Sequence, residues 1–162
     1  MITELSQRII ERATELDIHI ATAESCTGGL IAGALTEIAG SSAVVDRGFV
    51  TYSNEAKNEL INVPMDVIER KGAVSATVAR AMVAGALANS RAQLAVAVTG
   101  IAGPGGGTDT KPVGLVYIAV QSLDGLAQVK EFKFADEGAT TRADVRKLTV
   151  HRALEMLLGE LG

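Results

Sequence analysis

The chain has 162 residues, 48% hydrophobic, 21% charged and only 3% aromatic, with 15 Lys and Arg against 19 Asp and Glu. This hydrophobic content excludes an intrinsically disordered chain, and three Phe, two Tyr and no Trp leave few platforms for stacking nucleic-acid bases. A net charge of −4 provides no basic footprint for nucleic acid, and no apolar run reaches the ~18 residues of a membrane-spanning helix.

Taken in chain order, Ile2, Leu5, Ile9, Ala13 and Leu16 recur at helical spacing and predict an amphipathic helix over residues 2–16. Its interspersed acids and bases are unlike a secretory leader. HIATAE (19–24) reads as a short buried strand, followed by the polar turn SCTGG. LIAGALTEIAG (30–40) predicts a helix of small residues ended by Gly40. VVDRGFVTYS (44–53) is β-branched and aromatic, as strands are, and Asn54 is the cap expected for the helix beginning NEAKNELINV. Pro64 opens a short helical turn, and Ser75 caps a helix running to about Ala88. QLAVAVTG (93–100) is a continuous apolar strand of the kind buried on both faces. A Gly-rich loop, GIAGPGGGTDTKPV, occupies residues 100–113. GLVYIAVQS and LAQVKEFKF then flank Asp124-Gly125, a tight hairpin signal. A long helix over about 140–158 turns Val145, Leu148, Ala153, Leu154 and Leu157 inward. The order α β α β α α β β β α predicts one domain over residues 1–162. Its expected architecture is a three-layer α/β/α sandwich whose mixed, mostly parallel sheet ends in a hairpin.

Four segments carry more polar and glycine detail than packing requires. In AESCTGG (23–29), Ser25, Cys26, Thr27 and Gly28 lie between a strand and a helix, where backbone amides bind anions or hold an oxyanion. Ser25 there is a candidate nucleophile; the alternative is that Ser25 or Thr27 serves only as a helix cap. In TYSNEAK (51–57), Lys57 is a candidate general base if burial keeps its amine neutral, and the Tyr52 hydroxyl could relay a proton. The alternative is a surface lysine on an amphipathic helix. In TGIAGPGGGTDTKPVG (99–114), Thr99, Gly100, Gly103 and Gly105 allow backbone to approach a ligand closely at a strand end. The pattern is neither a Walker A loop nor G-x-G-x-x-G. In TTRADVRK (140–147), Arg142 and Arg146 share a face at a helix start, against the dipole preference, which points to an anion or to ordinary surface charge.

The two histidines, His19 and His151, are isolated, so neither a His-based triad nor a zinc site is indicated. The single cysteine cannot form an internal disulfide, which fits a cytoplasmic, reducing location.

Together AESCTGGLIA, GFVTYSNEAK, KGAVS, VTGIAGPGGGT, KPVGLVYIAV and the closing R-x-x-V-R resemble the C-terminal domain of the CinA (competence/damage-inducible) family, in the family's order and over nearly the whole chain. The resemblance is to the stand-alone form, without the additional N-terminal domain of many members. It implies a nicotinamide-nucleotide amidohydrolase, which converts nicotinamide mononucleotide to nicotinate mononucleotide and ammonia without a metal or other cofactor. It further implies Ser25 as nucleophile, Lys57 as its base and Tyr52 as an assisting hydroxyl. The Gly-rich loop and Arg142 or Arg146 would bind the substrate, and the chain would form a homo-oligomer. The small-residue helix SATVARAMVAGALA could pack within the domain or against another subunit. Two other readings stay open: a nucleotide-binding regulatory module without turnover, and an amidase that uses Cys26 as nucleophile.

Overall fold

In the computed structural model, which describes residues 1–162, five strands form one sheet. They are β1 (Ile20–Glu24), β2 (Val45–Val50), β3 (Leu94–Gly100), β4 (Leu115–Ser122) and β5 (Gln128–Lys133), in the spatial order β2-β1-β3-β4-β5. β1 pairs in parallel with both β2 and β3, whereas β4 is antiparallel to β3 and to β5. β4 alone is therefore reversed, and the sheet is mixed, with its hairpin at one edge as expected. Six helices cover it: α1 (Ile2–Leu16), α2 (Leu30–Thr36), α3 (Asn54–Ile61), α4 (Met65–Lys71), α5 (Ala76–Ala88) and α6 (Arg142–Leu161). None is long and apolar enough to cross a membrane.

Alternation along the central strands sorts side chains by size onto the two faces. One face presents Ile20, Leu94, Val96, Val98, Val116, Ile118 and Val120, which pack with buried residues of α1, α2 and α6. The other presents Ala21, Ala23, Ala95, Ala97 and Ala119, which meet Val78, Ala79, Met82, Val83 and Ala86 of α5. A face of methyl groups lets α5 settle close to the sheet. Along one flank, α3 packs so tightly that a Cβ at Gly85 would collide with the Ile61 carbonyl oxygen. Part of the small-residue surface of α5 is thus used within the domain, against the sheet and α3, while Thr77, Arg80, Ala84 and Ala88 stay exposed.

Several boundaries differ from the sequence reading for local reasons. α2 stops at Thr36, four residues before Gly40. Gly40 instead takes a φ of 87° and opens a 3-10 turn over Ser41–Ala43. The cap of α3 is Ser53, whose hydroxyl accepts from the Ala56 amide at 3.0 Å, and Asn54 is the first helical residue. The turn opened by Pro64 is a complete helix, so three helices rather than two connect β2 to β3. α6 starts at a capping box in which Thr141 and Asp144 satisfy each other's backbone amides.

The packing of α3 on α5 generates a paired prediction. Gly85→Ala overpacks that contact and costs about 1–3 kcal/mol. Gly33→Ala, in α2 where an added Cβ meets nothing within 4 Å, adds about 0.5–1 kcal/mol of stability. Urea unfolding of both variants beside the parent chain checks the opposite signs.

Candidate active site

β1 and β3 lie side by side and parallel, but the chain leaves them in opposite directions. From β1 it passes through α2 to β2 on one flank; from β3 it turns back into β4 on the other. Such a divergence opens a crevice beyond the strand ends, where α/β sheets hold their ligands. A cleft of about 310 Å³ lies there, lined by Ser25, Cys26, Tyr52, Asn54, Lys57, Thr99 and Arg142, with Ala73, Val74 and backbone of the Gly-rich loop.

Ser25 follows β1 directly, and its amide continues the sheet by donating to the Val98 carbonyl at 3.1 Å. The turn behind it requires left-handed backbone at Gly28 (φ 60°) and Gly29 (φ 106°). The Gly28 amide donates back to the Ser25 carbonyl, whereas the amides of Cys26 and Thr27 donate to no other residue. Glu24, which is fully buried, explains why the turn holds. Its carboxylate accepts from the Thr27 hydroxyl at 2.6 Å and from the Ile31 and Ala32 amides at 2.8 and 3.0 Å. A buried acid thereby occupies the first free donors of α2. These helix amides are therefore taken, and the unpaired donors beside Ser25 belong to the turn itself.

Lys57, in the first turn of α3, is 1% exposed. Its Nζ donates to Ser25 Oγ at 3.1 Å, to the Thr51 carbonyl at 2.9 Å and to the Tyr52 carbonyl at 3.3 Å. No carboxylate pairs with it. Burial pushes its pKa below the ordinary lysine value, favouring the neutral amine. Cys26 stands next to this pair, but burial pushes its thiol up to about 12. A thiol with that pKa is protonated at neutral pH and is a poor nucleophile.

The remaining residues singled out in the sequence divide into two groups. Thr99, Gly100, Gly103, Gly105 and Arg142 line the cleft with Ser25, Cys26, Tyr52 and Lys57. Thr27, Gly28 and Arg146 stand behind it. Arg146 donates to the Cys26 and Thr27 carbonyls at 3.1 and 3.2 Å. Tyr52 is 60% exposed, and its hydroxyl accepts from Arg142 at 3.2 Å rather than touching Ser25 or Lys57. Arg142 also donates to the Gly103 carbonyl at 2.7 Å, linking α6 to the Gly-rich loop. Thr99 spends its hydroxyl on the Ala73 carbonyl at 2.8 Å, which fixes the KGAVS segment as one wall.

Sequence reasoning missed Glu24, Asn54, Ala73 and Val74. Glu24 carried a signal, since an acid ending an apolar strand needs a buried partner. Asn54 carried one within YSNEAK, once Ser53 is recognised as the cap. No carboxylate is among the lining residues, although the chain is net acidic. The donors facing the cleft are those of Arg142, Lys57, Ser25, Tyr52, Asn54 and glycine-rich backbone, a set suited to an anionic ligand.

The sequence pattern described as the CinA C-terminal domain matches residues 2–161. Among solved structures, a competence/damage-inducible protein from Agrobacterium tumefaciens is 55% identical, with a TM-score of 0.94 over 98% of this chain and 94% of that one. A competence-damaged protein (CinA) superfamily member from Escherichia coli is 34% identical, with a TM-score of 0.90 over 98% of this chain and 89% of that one. A CinA-like protein of Geobacter sulfurreducens is 52% identical over 143 residues, which are 88% of this chain and 33% of the relative. The chain spans about a third of the length of the curated relatives it matches.

The role given to Glu24 is open to measurement. Glu24→Ala removes a charged acceptor from three donors, two of them fully buried, and lowers stability by about 1.5–3 kcal/mol, read by urea unfolding. A change below 0.5 kcal/mol would show that the carboxylate does not hold the turn.

Proposed function

The chain belongs to the CinA C-terminal domain family, and from that membership and the geometry around Ser25 we propose that it hydrolyses the carboxamide of nicotinamide mononucleotide, giving nicotinate mononucleotide and ammonia. The observation that carries this reading is the contact of the buried, carboxylate-free Lys57 amine with the Ser25 hydroxyl. An amine driven toward its neutral form can accept the serine proton at a pH where a surface lysine cannot.

In the first step Ser25 Oγ bonds to the carboxamide carbon and its proton passes to Lys57. The carbonyl π pair moves onto the amide oxygen, where the unpaired turn amides beside Ser25 receive it. As the tetrahedral intermediate collapses, the pair returns, the C–N bond breaks, and the nitrogen leaves as ammonia carrying the proton from Lys57. Water then adds to the acyl-serine with Lys57 again taking a proton. Breakage of the ester bond returns that proton to Ser25 and releases the carboxylate. Arg142 and the amides of the Gly-rich loop are the groups suited to the single phosphate of the substrate. Phosphate would compete for the Arg142 donors now on Tyr52 and Gly103, freeing the Tyr52 hydroxyl to assist the proton transfers. The protein works in this reading as a homo-oligomer in the cytoplasm, recycling pyridine nucleotides.

Ammonia release from nicotinamide mononucleotide tests the proposal. Ser25→Ala and Lys57→Met each lose about 10³-fold or more in kcat/KM with the fold retained by circular dichroism. Cys26→Ala loses far less, because a thiol with a pKa near 12 supplies no nucleophile. Full turnover by both dyad variants would overturn the mechanism, and tight nucleotide binding without turnover by the parent chain would mark a regulatory module instead.

The pH dependence has a definite sign. Catalysis needs neutral Lys57, so kcat/KM rises with pH through the lysine's pKa and then levels off. Burial sets that midpoint below the 10.5 of an ordinary lysine. A pH–rate profile whose rising limb lies at or above 10.5 would remove Lys57 as the base.

A further inference from the structure

The Gly-rich loop and the KGAVS segment both line the cleft, through Gly103, Gly105 and Gly106 of the first and Ala73 and Val74 of the second. Lys111 joins them from outside. It lines no part of the cleft, and its Nζ donates to the Lys71 carbonyl at 2.7 Å. That carbonyl lies at the end of α4, where no helical amide remains to meet it. Gly72 makes the room, since a Cβ there would lie 2.7 Å from the ammonium nitrogen. No carboxylate pairs with Lys111. Its backbone closes a turn of the loop: the Thr108 amide donates to the Lys111 carbonyl at 2.7 Å, and the Lys111 amide to the Thr108 hydroxyl at 3.0 Å. The stretch that this turn ends has little structure of its own. The amides of Ala102, Gly103, Gly105, Gly106 and Gly107 donate to no other residue. Glycines lose more freedom on ordering than any other residue. Near β3 the stretch is anchored by the Gly114 amide on the Ile101 carbonyl and by Arg142 on the Gly103 carbonyl, both at 2.7 Å. Beyond Gly103, the bond from Lys111 to Lys71 is the one hydrogen bond that fastens residues 104–111 to another part of the domain.

We propose that Lys111 is a positioning residue for ligand binding. By tying the far end of the Gly-rich loop to the KGAVS segment, it holds the glycine backbone in the form that receives the substrate. It touches neither Ser25 nor Lys57, so its contribution falls on binding and not on the chemical step. The substrate arm of the proposal rests on the reading of the Gly-rich loop as a phosphate site given above. The ordering of the loop by Lys111 does not.

The experiment compares the parent chain with Lys111→Met, which keeps the length and drops the donor, and Lys111→Arg, which keeps a donor. NMR relaxation gives the amide order parameters of Gly103, Gly105, Gly106 and Gly107. Ammonia release from nicotinamide mononucleotide gives kcat and KM at low salt and again in about 1 M sodium chloride. In Lys111→Met the order parameters are expected to fall from about 0.85 to below about 0.6. KM should rise about tenfold with kcat within about twofold, the split that marks lost binding. The KM ratio to the parent should persist in about 1 M salt, where the screening length is about 3 Å and a distant charge no longer attracts the phosphate. Lys111→Arg should stay within about threefold of the parent. Parent-like order parameters in Lys111→Met overturn the proposal. So does a KM ratio that disappears in salt, because Lys111 would then act only as a charge. A fall in kcat at unchanged KM also overturns it. A parent chain that releases no ammonia overturns the proposed activity instead, and the order parameters still decide whether Lys111 holds the loop.

Discussion

A primary amine with no carboxylate to pair with is buried where three segments of chain meet. Lys57 Nζ has Ser25 from the end of β1, and the Thr51 and Tyr52 carbonyls from the end of β2, as its protein partners. Water would solvate an ammonium far better than one hydroxyl and two carbonyls do, so the enclosure favours the neutral base. Everything around it serves to keep the amine in that place. Ser53 caps α3 and so sets where its first turn begins; the parallel pairing of β1 with β2 brings the two strand ends level. The cost of burying such a group is offset in part by three hydrogen bonds of 2.9–3.3 Å.

The unequal faces of the sheet make that arrangement possible. Large aliphatic side chains fill the space under α1, α2 and α6, while five alanines on the other face let α5 lie close. Close approach of α5 carries the segment before it over the end of β3, where Thr99 takes the Ala73 carbonyl and builds one wall of the cleft. Lys111, donating to the Lys71 carbonyl at 2.7 Å, ties the Gly-rich loop to the end of α4 nearby. The scarcity of aromatic residues goes with this close packing, and at the cleft Gly100 and Gly103 let the loop lie tight against Val116 and Val113.

Much of this was legible in the sequence, for identifiable reasons. Helical spacing located α1 and α6, and a continuous apolar run located β3 as a strand buried on both faces. The residues Ser25, Lys57, Thr99 and Arg142 were marked by motif and do share one cleft. What escaped was long-range. That Glu24 caps α2 cannot be read locally, because its partners lie up to eight residues on and depend on a turn with two left-handed glycines. That Arg146 grips the turn after β1 spans about 120 residues, and sequence spacing on a helix says only that Arg142 and Arg146 share a face. The alanine stripe of α5 showed a capacity for close packing, but only the fold decides whether sheet, helix or subunit fills it.

Arg142 and Arg146 stand one helical turn apart and yet do different work, which follows from where the helix axis passes. Arg142 emerges beside the Gly-rich loop and reaches the cleft; Arg146, one turn farther along α6, meets the back of the Ser25 turn. The turn is consequently held by opposite charges from two directions: the Glu24 carboxylate on Thr27 and the start of α2, and the Arg146 guanidinium on the Cys26 and Thr27 carbonyls. Neither charge lines the cleft. Such a clamp fixes peptide dipoles without adding a competing ion to the cleft. Fixed dipoles need no reorganisation when charge appears on a substrate oxygen, which is the condition under which backbone amides lower a barrier most.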